Sequence, residues 1–361
     1  MGRAGWGVAC ALLLAACTGF AKGALVRDAA ADAPADARDA ELRDGPDAPP
    51  DAEAQLPDDT FSCLDRAGAG PLVKVEAKDH GYTKFLSRGE AGTRYDARGA
   101  SWKFQSFPTA LQEYPVDLRG VDGACWAGGE VRGTNPLDAG WGETYDVANG
   151  AGILLGVTEL AEVRGVMIDG LRAHNVWDAI RPRSGGFHIK DVWLSYVRDD
   201  CVENDQLHGG TVEDSLFDGC YVGFSARSRT MELTGPSDEV WTIERTLVRL
   251  EPMPFPHAWE TYGTPGHGIF FKWNSDQDVR SSSPKLRLIG NIFMAEQRAN
   301  APGARMGVPA SVVECRDNIM VWLGEGDYPG DLRDCFEVTT DRSVWDDARA
   351  AWIARHPELR E

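Results

Sequence analysis

Three near-copies of one unit lie between Val163 and Arg229, and they restrict the fold more than any other feature of the chain. The first runs from Val166-Met167-Ile168-Asp169-Gly170-Leu171 to Val176-Trp177-Asp178-Ala179-Ile180-Arg181. The second runs from Phe187-His188-Ile189-Lys190-Asp191-Val192 to Arg198-Asp199-Asp200-Cys201-Val202-Glu203-Asn204-Asp205. The third runs from Gly210-Thr211-Val212-Glu213-Asp214-Ser215 to Asp218-Gly219-Cys220-Tyr221-Val222-Gly223-Phe224. Ile168, Ile189 and Val212 hold equivalent places, 21 and 23 residues apart. Each copy is a short alternating strand, a polar turn and a second short strand, without helical periodicity. A repeat of this length marks a solenoid, in which each unit pairs only with its neighbours and stacking buries one continuous core.

The pattern predicts an all-β chain: a right-handed parallel β-helix over 116–340, an N-terminal cap over 61–115 and a short C-terminal helix over 341–361. Right-handedness follows the general rule for parallel crossovers. Leu288-Ile289-Gly290-Asn291-Ile292-Phe293 and Cys315-Arg316-Asp317-Asn318-Ile319-Met320 show a common register again, 27 residues apart. Inserts at 251–267, 274–284 and 295–310 have loop composition, and inserts in a solenoid often gather on one binding face. Val344, Ala348, Ala351 and Trp352 recur at helical spacing and place the closing helix.

Arg3 precedes an apolar run, Val8 to Ala16, that is too short to span a bilayer and suits a signal peptide. The run ends in Leu14-Ala15-Ala16-Cys17, which resembles the bacterial lipobox. That resemblance implies that Cys17 is lipidated and that 1–26 is a signal peptide and anchor region. Residues 27–60 are Ala, Asp and Pro, with eleven acidic residues against three arginines. Such a segment cannot bury enough apolar surface to offset its ordering entropy, so it reads as a disordered tether. The expected location is the bacterial cell envelope, periplasmic or cell-surface, as a monomer held to a membrane by lipid alone. The formal charge of -19 argues against nucleic acid as a partner.

Six cysteines follow Cys17: Cys63, Cys125, Cys201, Cys220, Cys315 and Cys335. An even number in an exported chain suggests disulfides. Repeat spacing favours Cys201–Cys220 and Cys315–Cys335, each about one coil apart, which leaves Cys63–Cys125. No Cys-x-x-Cys occurs, so no zinc site is expected.

Adjacent strands of a parallel sheet lie roughly 4.8 Å apart. Aligning the second strands of the copies puts Asp178, Asp200 and Gly219 in one column and Ile180, Val202 and Tyr221 in another. Asp178 then lies one coil from Asp199 and Asp200, with Arg181, Glu203, Asn204 and Arg227 near the same strand ends. The segment Arg198 to Asn204, with Cys220 one coil later, resembles the core of polygalacturonases, pectin-cleaving glycosidases built on right-handed parallel β-helices. The resemblance implies a glycosidase in which Asp178, Asp199 and Asp200 are the catalytic acids. That family's Gly-His-Gly follows the second cysteine closely; here Gly266-His267-Gly268 comes 46 residues after Cys220. Its Arg-Ile-Lys has no counterpart.

The expected substrate is a polysaccharide or surface glycan, cleaved by a hydrolase before a lyase. Arg181, Glu203, Asn204, Arg227 and Trp177 are the expected contacts. Trp141, Trp259 and Trp273, near loops, are further candidates for sugar stacking. Asp191 and Asp214 read as turn caps bonding through their side chains. No cofactor signature is present. No Ca²⁺ motif stands out either, although Asp178, Asp199, Asp200 and Glu203 offer hard oxygen ligands and a structural Ca²⁺ site is one alternative. The other alternative is a non-catalytic lipoprotein that binds glycan or protein.

Overall fold

The computed structural model describes residues 63–66, 70–87, 89–111, 113–119, 122–140, 144, 150–156, 164–227, 238–254, 265–274, 283–300 and 304–359. Cys17, the anchor region 1–26, the tether 27–60, Trp141, Trp259 and Arg229 lie outside these residues, as do parts of the three inserts.

The chain is all-β with long parallel sheets and one short C-terminal helix. One sheet has nine strands and the other fourteen, and every pairing between named strands is parallel. The nine-stranded sheet includes Met167–Asp169, Phe187–Lys190, Gly210–Glu213, Val240–Glu244, Lys285–Ile289 and Val312–Arg316, paired in that order. Ile168, Ile189, Val212, Ile243, Leu288 and Cys315 form one row across it. The equivalence read from the repeats is therefore the real register, and so is that of Leu288 and Cys315. In the fourteen-stranded sheet, Ala151–Leu155, Asp178–Pro182, Trp193–Glu203 and Leu216–Ala226 follow one another.

Pairing starts earlier than expected. Leu72–Lys74, Phe85–Ser87, Arg94–Asp96 and Ser101–Phe104 all join the same two sheets. The segment expected as an N-terminal cap thus contributes strands to both sheets, the first among the described residues being Leu72–Lys74.

One core is shared by the inward faces of both sheets, joining Ile168, Ile189 and Val212 to Val197, Cys201 and Phe224. Between the sheets the chain turns through Gly170, Asp191, Asp214, Arg245, Gly290 and Asp317, all with positive φ. Glycine enters the left-handed region freely and aspartate more readily than most residues, which accounts for five of the six. Asp191 and Asp214 are thus turn residues through their backbone. Buried Asn291 and Asn318 stack on neighbouring strands, Nδ2 of Asn291 donating to Oδ1 of Asn318 at 2.9 Å and to the Ile243 carbonyl. Their amides are satisfied inside the sheet, as buried polar groups must be. The disulfides are Cys63–Cys125, Cys201–Cys220 and Cys315–Cys335, the pairing expected from spacing.

The helix Ser343–Arg355 packs Trp345 and Trp352 on Leu216, Leu247, Met294 and Val321. His356, just past it, is buried and stacked on Trp352. Its Nε2 lies 3.3 Å from Oδ1 of Asp191 and 3.8 Å from Oδ2 of Asp214, while Arg355 pairs with Asp214. Burial disfavours the imidazolium, but the bonds to Asp191 and to the Trp352 carbonyl, with the charges of Asp191 and Asp214, together outweigh it and raise its pKa. A raised histidine stabilises fully below its unfolded value of about 6.5, and that contribution is lost as pH rises through the folded value. Burial also raises Asp214, which Arg355 opposes. That shift likewise lowers folding stability as pH rises from about 3.9 toward the folded value. We expect the protection factors of the Ser343–Arg355 amides, which take out the base catalysis of exchange itself, to fall between neutral and mildly alkaline pH. His356→Gln should flatten that change; an identical pH profile in the variant would remove His356 from this role. No helix among the described residues is long and apolar enough to cross a membrane.

Candidate functional site

The strand Trp193–Glu203 carries an extra residue. Val197 pairs with Cys220, but the next pair is Asp200 with Val222, so three steps on one strand meet two on its partner. This is a β-bulge, a device that bends a strand and re-aims its side chains. It falls on Arg198 and Asp199, and it places Asp199 and Asp200 together outside the core that holds Val197, Cys201 and Val202. It also corrects the expected columns. Val202 pairs with Ile180 on one side and with Phe224, not Tyr221, on the other; Asp200 faces Val222, not Gly219.

Strict alternation sends residues three apart to opposite faces. Here two consecutive residues enter the core on each strand, Ala179-Ile180 and Cys201-Val202. Asp178 and Arg181 therefore share the outer face, as do Asp200 and Glu203. Beyond Glu203 the same row continues through Ser225 to Lys272, on the strand Phe271–Trp273.

These side chains form one buried cluster held by two cations. Arg181 bonds Oδ2 of Asp178 through Nη2 at 2.5 Å, pairs with Glu203, and donates from Nη1 to the Tyr114 hydroxyl at 3.1 Å. Lys272 holds Oδ2 of Asp200 at 2.8 Å and lies 3.8 Å from Oδ1 of Asp199. The Asp200 amide donates to Oδ1 of Asp178 at 3.1 Å and ties the two halves together. Asp178 and Asp200 are fully buried, whereas the Lys272 side chain is 18 % exposed.

Four carboxylates against two cations leave charge that a low-dielectric site resists. Burial, then Glu203, push Asp178 well above the usual carboxylate range against the pull of Arg181. Burial pushes Asp200 up to about 7, with Lys272 opposing and Asp199 and Glu203 adding. Burial also acts to raise Glu203, but Arg181 and a hydrogen bond from Asp178 outweigh it and hold Glu203 low. The proton between those two carboxyls therefore sits on Asp178. Burial works against the Lys272 charge, and Asp200 and Asp199 more than restore it. Oδ1 of Asp200 is buried with no hydrogen-bond partner among the described residues, and so is Oγ of Ser225. One oxygen each from Asp178, Asp200 and Glu203 lie within 4.8 Å of one another, a spacing that would also admit a cation.

Three of the expected contacts lie elsewhere. Trp177 is buried in the core and donates to Oγ of Ser106 at 2.9 Å, so it offers no face to a sugar. Asn204 uses both ends of its amide on the backbone of His208, closing the turn after the strand. Arg227 is exposed, one residue past the end of Leu216–Ala226. Trp273 is half-buried, tilted against Trp241 with its indole N–H on the Pro284 carbonyl.

Lys272, Tyr114 and Tyr221 were not anticipated from the sequence. Tyr221 donates to Oδ1 of Asn300, and burial and Asp199 push its phenol up to about 12. The signal for Lys272 was a single lysine in the otherwise apolar run Gly268-Ile269-Phe270-Phe271-Lys272-Trp273. The distant Gly266-His267-Gly268 does arrive beside the site, its Gly268 amide bonding the Tyr221 carbonyl. A Cβ at Gly268 would meet Val222 at 2.8 Å, so that approach needs glycine. His267 itself is buried with Nδ1 against the Gly268 carbonyl, and burial lowers its pKa. Its Nε2 has no hydrogen-bond partner among the described residues. Comparison of the chain with protein families, curated proteins and solved structures finds no match.

Proposed function

We propose that the two sheets are walls of a right-handed parallel β-helix of pectin-lyase-like type, anchored in a bacterial envelope by lipid on Cys17. We propose further that its carboxylate cluster cleaves glycosidic bonds in a polysaccharide. The observation that carries this reading is Asp200: one carboxyl oxygen held by Lys272, the other without a partner, and a pKa pushed up to about 7. A general acid works best with a pKa near the working pH. Asp200 would protonate the leaving oxygen, and Glu203, kept ionised by Arg181, would serve as the second carboxylate. One oxygen each of Asp200 and Glu203 lie within 4.8 Å of one another, and a pair of carboxyl groups flanking the bond is what both retaining and inverting enzymes use. Asp178 shares a proton with Glu203, and Asp199 shapes the charge around Asp200.

One observation favours the non-catalytic alternative. Asp178 and Asp200 are fully buried, so a sugar has to reach Asp200 past the Lys272 side chain. Incubation with pectic, alginate, glycosaminoglycan and neutral glucans, with and without Ca²⁺, separates the readings. Under hydrolysis new reducing ends form, and Asp200→Asn lowers the rate by at least about 100-fold, the usual contribution of a general acid, while melting stays near that of the parent. Unsaturated uronate absorbance would point to a lyase. An Asp200→Asn protein that remains fully active would end the assignment.

A further inference from the structure

The two cations of the cluster divide its four carboxylates between them. Arg181 clamps Asp178 and Glu203, and Lys272 spans Asp200 and Asp199. They reach the site by different routes. Arg181 lies on the strand before the bulge. Lys272 lies on Phe271–Trp273, the strand paired with the far side of Leu216–Ala226, and reaches back across Ser225 to Asp200. Nothing else in the cluster is as open to solvent as the Lys272 side chain.

We propose that Lys272 is a positioning residue for this site: by fixing Oδ2 of Asp200 it makes Oδ1 the one oxygen through which Asp200 gives and takes a proton. Its use in catalysis rests on the acid–base reading above; the contact itself does not. Three features support it. Oδ2 lies 2.8 Å from the ammonium, which bars a proton there. Oδ1 lies buried with no partner among the described residues, and it belongs to a carboxyl already anchored on two sides, by Lys272 and through its own amide to Asp178. Ser225, between Lys272 and Glu203 in the row, also holds its Oγ without a partner among the described residues. In a proton transfer, the O–H bond at Oδ1 breaks and one forms at the leaving oxygen. Asp200 is left as a carboxylate, already paired with Lys272. The same lysine therefore orients the acid and stabilises its conjugate base.

The test reads the carboxyl directly, without a sugar. Full-length protein carrying ¹³C-carboxyl aspartate is titrated by NMR, and the Asp200 resonance is identified by its loss in Asp200→Asn. In Lys272→Met the Asp200 pKa should rise by about one to three pH units, the range for an adjacent opposite charge. Lys272→Arg should return it toward the parent value, and Asp199→Asn should move it down. An Asp200 titration unmoved in a folded Lys272→Met protein would overturn the proposal. If that variant does not fold, the parent chain still decides. The Lys272 ammonium resonance should titrate in step with Asp200 and lose that step in Asp200→Asn; an ammonium indifferent to Asp200→Asn overturns the proposal. Expected shifts with no activity on any sugar would leave Lys272 in its role and remove the hydrolysis. Activity with unmoved shifts would do the reverse.

Discussion

Arg181→Met is expected to lose about 3–5 kcal/mol of stability at neutral pH, the usual result of leaving buried charges without their partner. Arg181 is one of only two cations in the cluster, and both Asp178 and Glu203 lean on it. Methionine fills much the same space, so lost packing contributes little. The pH dependence isolates the charge. Glu203 is held below its usual value in the fold, so its contribution is present above the unfolded value of about 4.3 and disappears as pH falls through the folded value. Asp178 is raised, so ionising it costs stability as pH climbs from about 3.9 toward its folded value. Without Arg181 both carboxyls are pushed up. The variant should therefore be weakest at pH 7 and approach the parent only once pH has fallen below the folded Glu203 value, itself under about 4.3, where both carboxyls carry protons. Denaturant midpoints at the two pH values, disulfides intact, measure this. Equal losses at both would mean that Arg181 acts through packing, and the electrostatic account of the cluster would fall.

The parts of this architecture that could be read from the sequence are those fixed by period. Ile168, Ile189 and Val212 alternate with polar neighbours at nearly constant spacing, and a parallel sheet has no other way to bury all three. Two of the disulfides followed because cysteines about one repeat apart arrive side by side, and Cys63–Cys125 was the pair that remained. What could not be read is whatever breaks the period. A bulge adds one residue without changing composition: Arg198-Asp199-Asp200 is a polar run whether it lies flat or buckles. Counting back from Cys220 therefore set Asp200 beside Gly219, when the strand sets it beside Val222. Lys272 was hidden by distance, since it meets Asp200 across 72 residues. The early strands, from Leu72 to Phe104, were hidden by brevity: strands of three or four residues give too few alternations to stand out.

Trp177 shows the same limit at a single residue, and it yields the other large expected effect. A tryptophan next to an acid, in a β-protein expected to be exported and to act on sugars, reads as a stacking platform. Its neighbour Asp178 does face the cluster. Trp177 lies just before the strand Asp178–Pro182, however, and it joins the core while Asp178 joins the cluster outside it. There it is fully buried, its indole N–H on Oγ of Ser106, more than seventy residues earlier in the chain. Trp177→Ala should cost about 3–5 kcal/mol through the cavity it opens. Trp177→Phe should cost less, keeping most of the volume and leaving the buried Ser106 hydroxyl with one of its two donors, Nδ2 of Asn135. Both losses should appear in denaturant midpoints with no ligand present. Any loss of activity should fall on kcat, as Asp178 shifts with the loosened strand, and leave KM for a polysaccharide nearly unchanged. A Trp177→Phe protein with the parent's stability and a raised KM would reverse the assignment. It would put the indole on the substrate, with Trp177 and Asp178 both facing outward.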